Sequence, residues 1–349
     1  MRSNSWRANL ATCALLALFA ALTCTVDASA ADKKTDKPRA AVAAAVPDEL
    51  QILHVQGMIY VLTGADSNAT VQIGQDGVLF VDAPATALVP RAMELIRTIA
   101  DKPVRYIVST SLDAHYISGN EALTAFGTRT VPSISGGMFG APPVAAMGAV
   151  AGVSILGHEN VLNRLTARDQ TAIPGALITS TYFQPTKDFF LNGEGIIVYH
   201  VPNAHTDGDS IVHFRHSDVV SVGALFTPGR YPDIDVGKGG SIDGFLAGLN
   251  QILALTIPAA FQEGGTYVVP GYGRICDEAD VVEYRDMVSI VRDRVEDMLG
   301  KGMSLAQVQA ARPTLDYDTE HGGTRGGPTA QMFVQSIYKS LAQRKGVAP

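Results

Sequence analysis

One polar loop between a buried strand and a helix constrains this chain more than any other segment. The apolar run Val104 to Val108 predicts a buried strand, and the sequence from Asn120 is typical of a helix. Because loops at strand ends often present functional side chains, we expect the stretch between them to contribute to a site. The polar and aromatic candidates in this loop are Ser111, Asp113, His115 and Tyr116.

Further short motifs lie before and after this loop. They are Ser67-Asn68, the strand and turn 77–82, the turn 204–210 with His205, Gly223-Ala224-Leu225-Phe226, the segments 229–235 and 239–241, and Pro270-Gly271-Tyr272-Gly273. In the order and character of these motifs the chain resembles the metallo-β-lactamase superfamily, over about residues 50 to 298. The resemblance implies an α/β fold, a four-layer αβ/βα sandwich. The mixture of strands and helices in two similar halves favours the same architecture.

The resemblance also implies metal ligands at positions where this chain has other residues. The family has His-x-His-x-Asp-His in the loop, and the four ligand positions here are Ser111, Asp113, His115 and Tyr116. His205 supplies an expected histidine, whereas Ala224 replaces the bridging carboxylate and Tyr272 replaces the last histidine. Zinc sites use Cys, His and carboxylate ligands. We therefore expect the paired-zinc site to be absent and predict no cofactor of that kind.

Two interpretations of the remaining polar residues stay open. Asp113, His115 and His205 provide two imidazoles and one carboxylate, a set that holds one zinc or iron ion in other proteins. The alternative, which we favour, is a hydrogen-bonded polar cluster in a vacated pocket. Tyr116 and Tyr272 complete the candidate pocket, since phenols can donate protons or bind an oxyanion. Asp82 is expected to support the loop by holding His115 or a backbone amide.

These observations leave two classes of function. The first is an exported protein of the metallo-β-lactamase fold that has lost its zinc pair and binds a small molecule. The second is a hydrolase of a lactam, lactone or ester, which uses one metal or none and acts through Asp113, His115 and His205. If the protein is an enzyme, the resemblance implies a hydrolase.

The N-terminus has the pattern of an export signal. Arg2 and Arg7 precede an apolar run from Leu10 to Cys24, and Ala28-Ser29-Ala30 is typical of a cleavage site. We expect residues 1–30 to be a signal peptide, residues 31–47 a linker, and the protein to be periplasmic or secreted. An uncleaved anchor is disfavoured because the apolar run is short for a span of about 20 residues. We therefore expect no transmembrane domain in the mature chain, which would retain only Cys276 as a structural thiol.

The rest of the chain is predicted to form one domain, residues 48–300, and a helical extension, residues 301–349, docked on it. The apolar segment 131–153 is interpreted as a lid, or as a segment that packs on the sheet or on a partner chain. A net charge of −7 argues against nucleic acid as a partner. The expected partner is a small-molecule ligand, and the oligomeric state stays open.

Overall fold

Two β-sheets form the centre of the protein. The computed structural model describes residues 50–64, 67–127, 152–167, 173–322 and 327–346. The first sheet has seven strands in chain order: β1 (Gln51–Gln56), β2 (Ile59–Thr63), β3 (Ala69–Gly74), β4 (Gly77–Val81), β5 (Val104–Val108), β6 (Ser154–His158) and β7 (Ser180–Tyr182). The second contains β8 (Thr186–Leu191), β9 (Glu194–Val201), β10 (Asp209–Phe214), β11 (Val219–Ser221) and β12 (Tyr267–Val269), with the order β12-β11-β10-β9-β8 across the sheet.

Helices cover the outer faces of both sheets. They are α1 (Val89–Arg97), α2 (Ala114–Ile117), α3 (Asn120–Leu123), α4 (Glu159–Leu165), α5 (Ile242–Leu255), α6 (Glu278–Gly300), α7 (Leu305–Ala310), α8 (Asp318–His321) and α9 (Ala330–Arg344). Helix α1 packs Ala92, Met93 and Ile96 against the first sheet, as its helical spacing of apolar residues predicts. Helices α5, α6 and α9 share one apolar cluster with the second sheet.

The innermost core lies between the two sheets. All five residues of β4 are buried, because helix α1 covers one face of this strand and the second sheet covers the other. Leu79 and Val81 belong to the same cluster as Val198, Val212 and Phe214 of the second sheet. The layers therefore run helix, sheet, sheet, helix, and the predicted four-layer αβ/βα sandwich is confirmed.

Parallel pairing brings the functional loops to one edge of the sandwich. Strand β4 pairs in parallel with β5, and β11 pairs in parallel with β12. The segments that follow these strands therefore begin side by side, with Asp82 N donating to Val108 O at 2.8 Å. Ser210 N donates to Thr110 O at 2.8 Å, which joins the loop of the first sheet to the second. The candidate site lies where these loops meet.

The C-terminal helices pack on the second sheet's helical layer. Phe333, Ile337 and Leu341 of α9 are fully buried in the cluster that includes residues of α5 and α6. Helix α9 thus shares one apolar cluster with α5 and α6. Within the described ranges, no helix is long and apolar enough to cross a membrane. The predicted signal peptide, the predicted linker and nearly all of the segment 131–153 lie outside the described residues.

Candidate functional site

Asp82 supports the loop that follows β5. It lies directly after β4 with a φ of 64°, a left-handed conformation that Asp tolerates better than most residues. Its Oδ1 accepts a hydrogen bond from Thr110 N and its Oδ2 accepts one from Thr110 Oγ1, both at 2.7 Å. Asp82 therefore holds a backbone amide, one of the two expected roles, and not His115. Burial raises the pKa of Asp82 to about 7.

His205 is the centre of a buried charged network. Its Nε2 lies 3.1 Å from Asp113 Oδ2, and its Nδ1 lies 3.2 Å from Asp209 Oδ1. Burial alone would lower the pKa of His205, but Asp209 and Asp113 outweigh burial and raise it well above the ordinary value of 6.5. Because a carboxylate oxygen lies within 3.2 Å of each ring nitrogen, the contacts favour an imidazole that donates a hydrogen bond from both nitrogens.

Lys238 adds a second fixed cation at the edge of this network. Its Nζ lies 2.8 Å from Asp235 Oδ2 and 3.7 Å from Asp113 Oδ1. Burial would raise the pKa of Asp113, but His205 and then Lys238 outweigh it and lower that pKa. The side chains of Asp113 and Lys238 are 23% and 31% exposed, whereas that of His205 is 1% exposed. Asp113 and Lys238 thus form the solvent-facing part of the site, and the His205 ring is buried behind them.

Two tyrosines line the other side of the site. Tyr116 is 7% exposed, and its hydroxyl approaches the backbone of Gly271 so closely that a Cβ there would lie 2.4 Å from it. The next residue is Tyr272, and the Arg230 guanidinium carbon lies 3.2 Å from the centroid of its ring. Burial and the nearby Asp82 raise the pKa of Tyr116 above its ordinary value of 10.0. Tyr116 is therefore a protonated phenol that can donate a hydrogen bond.

The short segment after β2 fixes both tyrosine-bearing elements. Asn68 Nδ2 donates to Pro270 O at 3.0 Å and to Gly273 O at 2.9 Å, which closes the turn around Tyr272. Ser67 Oγ donates to His115 O at 2.7 Å and so holds helix α2. These contacts explain why Ser67-Asn68 belongs with the other site motifs, although Ser67 lies 48 residues before His115 and Asn68 lies 202 residues before Pro270.

The described donors do not fit a zinc or iron ion. The side chain of His115 is exposed and makes no hydrogen bond to any described residue, so it does not join Asp113 and His205. Both ring nitrogens of His205 lie within 3.2 Å of a carboxylate oxygen, so in this arrangement neither nitrogen is open to a metal ion. Within the described residues, no three His, Cys, Asp or Glu side chains converge as a metal site requires. Asp113 and His205 are hydrogen-bonded to each other, and His115 makes no hydrogen bond to either of them.

A serine nucleophile is also inconsistent with the geometry. Ser111 Oγ lies 3.3 Å from His205 Nδ1, which on distance alone resembles the start of a Ser-His-Asp arrangement. However, Ser111 is fully buried, and a protonated His205 cannot accept the serine proton. Ser111 is therefore a packing and hydrogen-bonding residue of the network.

Four charged residues of the site were missed from the sequence. Arg230 and Asp235 lie in the motif 229–235, to whose charges no role was assigned, and Lys238 lies between this motif and the motif 239–241. The fourth, Asp209, lies four residues after His205. The sequence did contain an indication of these residues. Acidic and basic residues lie close together in segments that also contain the glycines of the family motifs. Their pairing depends on contacts between loops, which a single sequence does not show.

Structural comparisons place the fold among known proteins. The stereoselective inverting sec-alkylsulfatase Pisa1 from Pseudomonas sp. aligns with 83% of this chain at 11% identity, with a TM-score of 0.60. A double mutant of the sec-alkyl sulfatase PisA1 aligns with 85% at 11% identity, with a TM-score of 0.55. Both alignments cover 50% of the sulfatase, so this chain spans about half the length of those proteins.

A second kind of protein shares the fold over nearly its whole length. A metallo-β-lactamase from Pontibacter korlensis aligns with 69% of this chain and 99% of its own, at 13% identity, with a TM-score of 0.51. No protein-family model matches the sequence, and no curated protein matches it. The protein has the metallo-β-lactamase fold, and identities this low show the fold alone.

Proposed function

We propose that this protein belongs to the metallo-β-lactamase superfamily as a non-canonical member that binds a small molecule without a zinc pair. One observation supports the proposal above all others, the engagement of both His205 ring nitrogens by Asp113 and Asp209. In a metal site the metal neutralises its carboxylate ligands, whereas here His205 and Lys238 supply the positive charge. His205 and Lys238 thus offset part of the negative charge of Asp113, Asp209 and Asp235 without a metal.

We further propose that the protein acts outside the cytoplasm, in the periplasm or as a secreted protein. The pattern of the first 30 residues supports this location. The single cysteine that would remain, Cys276, is buried, and burial raises the pKa of its thiol. Such a thiol is protected from oxidation, which suits an oxidising compartment.

The second candidate function is hydrolysis without a metal. Tyr116 favours it, because a protonated phenol in the site can stabilise an oxyanion as an ester, lactone or lactam is attacked. The similar sulfatase is named for its action on sec-alkyl sulfates, so a sulfate ester is a further substrate to test. Since His205 is protonated and Ser111 is buried, neither is available as a base or nucleophile, and we rank this candidate below binding.

The two functions are separated by testing hydrolysis and binding on the same preparation. The purified mature protein is given a lactam, a lactone, a carboxyl ester and a secondary alkyl sulfate, each with zinc, with iron(II) and with a chelator. A small-molecule library is screened in parallel by thermal shift. A ligand present at about 100 times its Kd stabilises the folded state by about 2.7 kcal/mol, which is measurable as a rise in Tm.

The proposed function predicts stabilising ligands and no metal-dependent turnover. Zinc-dependent hydrolysis that is lost in His205→Ala would contradict it. Hydrolysis that is insensitive to the chelator and lost in Tyr116→Phe would establish the second candidate instead.

A further inference from the structure

The turn 204–210, which carries His205, is attached to helix α4 through its Asp207. Arg164 Nε donates to Asp207 Oδ1 and Arg164 Nη2 donates to Asp207 Oδ2, each at 2.7 Å. Asn160 Nδ2 donates to Asp207 O at 2.8 Å. Helix α4 follows β6 of the first sheet, and the turn connects β9 and β10 of the second. These contacts, which we call the α4–turn interface, therefore join the two halves of the sandwich beside the site.

Two close approaches fix the turn at this interface. A Cβ on Gly208 would lie 2.8 Å from Val161 Cγ2 of α4, so the backbone of the turn packs directly on the helix. Asp207 N donates to Lys238 O at 3.1 Å, which connects the interface to the second cation of the site. A displacement of the turn from α4 would therefore move the backbone beside both His205 and Lys238.

Two stacked histidines lie at the same interface. The rings of His158 and His200 are 3.6 Å apart between centroids and 5° from parallel. His200 Nε2 donates to Asp207 O at 2.9 Å, since a carbonyl oxygen can only accept. His158 is the N-cap of α4, and its Nδ1 accepts from Asn160 N at 3.3 Å. One histidine thus holds the turn, and the other holds the start of the helix.

These contacts require the His158 imidazole to be neutral. Its Nδ1 can accept the Asn160 amide only when that nitrogen carries no proton. A proton on Nδ1 would face the amide N–H, and the helix would lose its side-chain cap. Protonation would also place a cation against the stacked ring of His200, so the two rings cannot both be charged without repulsion. Burial and then His200 lower the pKa of His158 to about 4.

The other charged and titratable neighbours of His158 do not remove this cost. Tyr182 of β7 meets the His158 ring at an interplanar angle of 78°, with 5.1 Å between ring centroids. The Asp207 carboxylate favours the protonated imidazole, but Arg164 binds both of its oxygens. Glu159, the next residue in the chain, is exposed. Burial and His200 therefore outweigh the one neighbouring carboxylate that would stabilise the charge.

We propose that the stacked pair His158 and His200 makes the α4–turn interface sensitive to acid, so that protonation of His158 releases the turn 204–210 from α4. The turn carries His205 and contacts the backbone of Lys238, so the site opens in acid and holds its ligand near neutral pH. This consequence rests on the proposed small-molecule-binding function, whereas the opening itself does not. At the proposed location outside the cytoplasm, the protein is exposed to the pH of the surroundings.

Amide hydrogen exchange in the mature protein measures the opening without any ligand. Asn160 N becomes free to exchange when His158 releases it, and Asp207 N does so when the turn leaves Lys238. The pKa of His158 is about 4 in the closed interface and 6.5 in an open one, so the opening equilibrium constant should rise by about 300-fold between pH 6.5 and pH 4. We expect the protection of both amides, corrected for the intrinsic effect of pH on exchange, to fall by this factor.

The same samples show whether the opening is local and whether His158 causes it. The ring signals of His158, assigned by their loss in His158→Asn, should titrate in the pH interval in which Asn160 loses protection. The core amide of Val288 in α6 should stay better protected than Asn160 at every pH. Protection that is constant with pH, a His158 titration outside that interval, or equal protection of Asn160 and Val288 would each overturn the proposal. An Asp207 amide that stays protected while Asn160 exchanges would also overturn it, because the turn would not be released.

Variants then test the two histidines. Asn is a favourable N-cap whose oxygen accepts the amide at every pH, so His158→Asn should keep the protection of Asn160 nearly constant from pH 7 to pH 4. His200→Phe keeps a stacked ring without charge, so His158 is protonated more easily in the closed interface and the total loss of protection should be smaller. His54→Gln on the exposed part of β1 is the matched control and should leave the loss unchanged. A full loss of protection in His158→Asn would overturn the proposal.

Failure of this inference and failure of the proposed function give different results. Constant protection of Asn160 and Asp207 from pH 7 to pH 4 overturns the acid-sensitive interface, whichever small molecule the site binds. A zinc-loaded hydrolytic protein overturns the proposed function instead, and metal analysis of the same samples identifies it.

Discussion

Replacement of Asp82 by Asn should remove a contribution to stability that is lost as the pH rises toward 7. The carboxyl of Asp82 is 2% exposed, and burial raises its pKa from 3.8 to about 7. When protonated, Asp82 has one acceptor oxygen for Thr110 N and one O–H that can donate to Thr110 Oγ1. Asn presents the same pair of groups and also tolerates the left-handed backbone at this position. At low pH the two proteins should therefore have similar free energies of unfolding.

The magnitude follows from the pKa values of the folded and unfolded states. Because the folded-state pKa is the higher one, the carboxyl favours folding fully below pH 3.8, and this contribution is lost as the pH rises toward 7. Each pH unit in that interval corresponds to about 1.4 kcal/mol, so the whole interval corresponds to about 4 kcal/mol. Asp82→Asn should thus be more stable than the natural protein by up to about 4 kcal/mol at pH 8.

Denaturant unfolding at pH 5, 6, 7 and 8 measures this difference directly. Asp188→Asn on the exposed edge strand β8 is the matched control, and its difference from the natural protein should not vary with pH. The expected signature is a stability advantage of Asp82→Asn that grows from pH 5 to pH 7 and then levels off. An advantage that is constant across the series would show that Asp82 is ionised in the folded protein and would refute the reasoning.

Three further predictions concern other parts of the network. Glu194→Gln should lower the free energy of unfolding by about 1–3 kcal/mol in denaturant melts, because the buried Glu194 accepts hydrogen bonds from Gln72, His216 and Ser217, and one must be lost. Lys238→Met should raise the affinity for Ca²⁺, measured by calorimetry, since it removes the cation that neutralises carboxylates of the site; unchanged affinity would contradict the role of Lys238. Burial and His200 lower the pKa of His158 to about 4, so the neutral imidazole contributes to stability above pH 6.5 and this contribution is lost as the pH falls. The Tm of His158→Gln should therefore fall less than that of the natural protein when thermal melts are compared from pH 7 to pH 4.

The architecture was predictable because it depends on local patterns. The apolar run 104–108 corresponds to β5 without change of bounds. The motifs around Gly223 and Gly271 also indicated the fold, since both positions allow close backbone approaches that a side chain would block. Patterns of this kind extend over only a few consecutive residues, so a single sequence shows them.

The electrostatics of the site were not predictable in the same way. The sequence placed His115 with Asp113 and His205, but the orientation of α2 leaves the His115 side chain exposed. The pairing of Lys238 with Asp113 joins residues that are 125 positions apart, and it depends on how two loops meet. Residue types alone therefore did not identify Lys238 as the cation that pairs with Asp113.

The metal content of the mature protein tests the central claim most directly. Mass spectrometry would be applied to protein purified without chelators or a histidine tag, incubated with excess zinc or iron(II), and then dialysed. Since His205 is bound by two carboxylates and His115 does not join it, we predict well under 0.1 equivalent of either metal, on the order expected for incidental binding. About one equivalent of zinc or iron that is lost in both Asp113→Ala and His205→Ala would contradict the account.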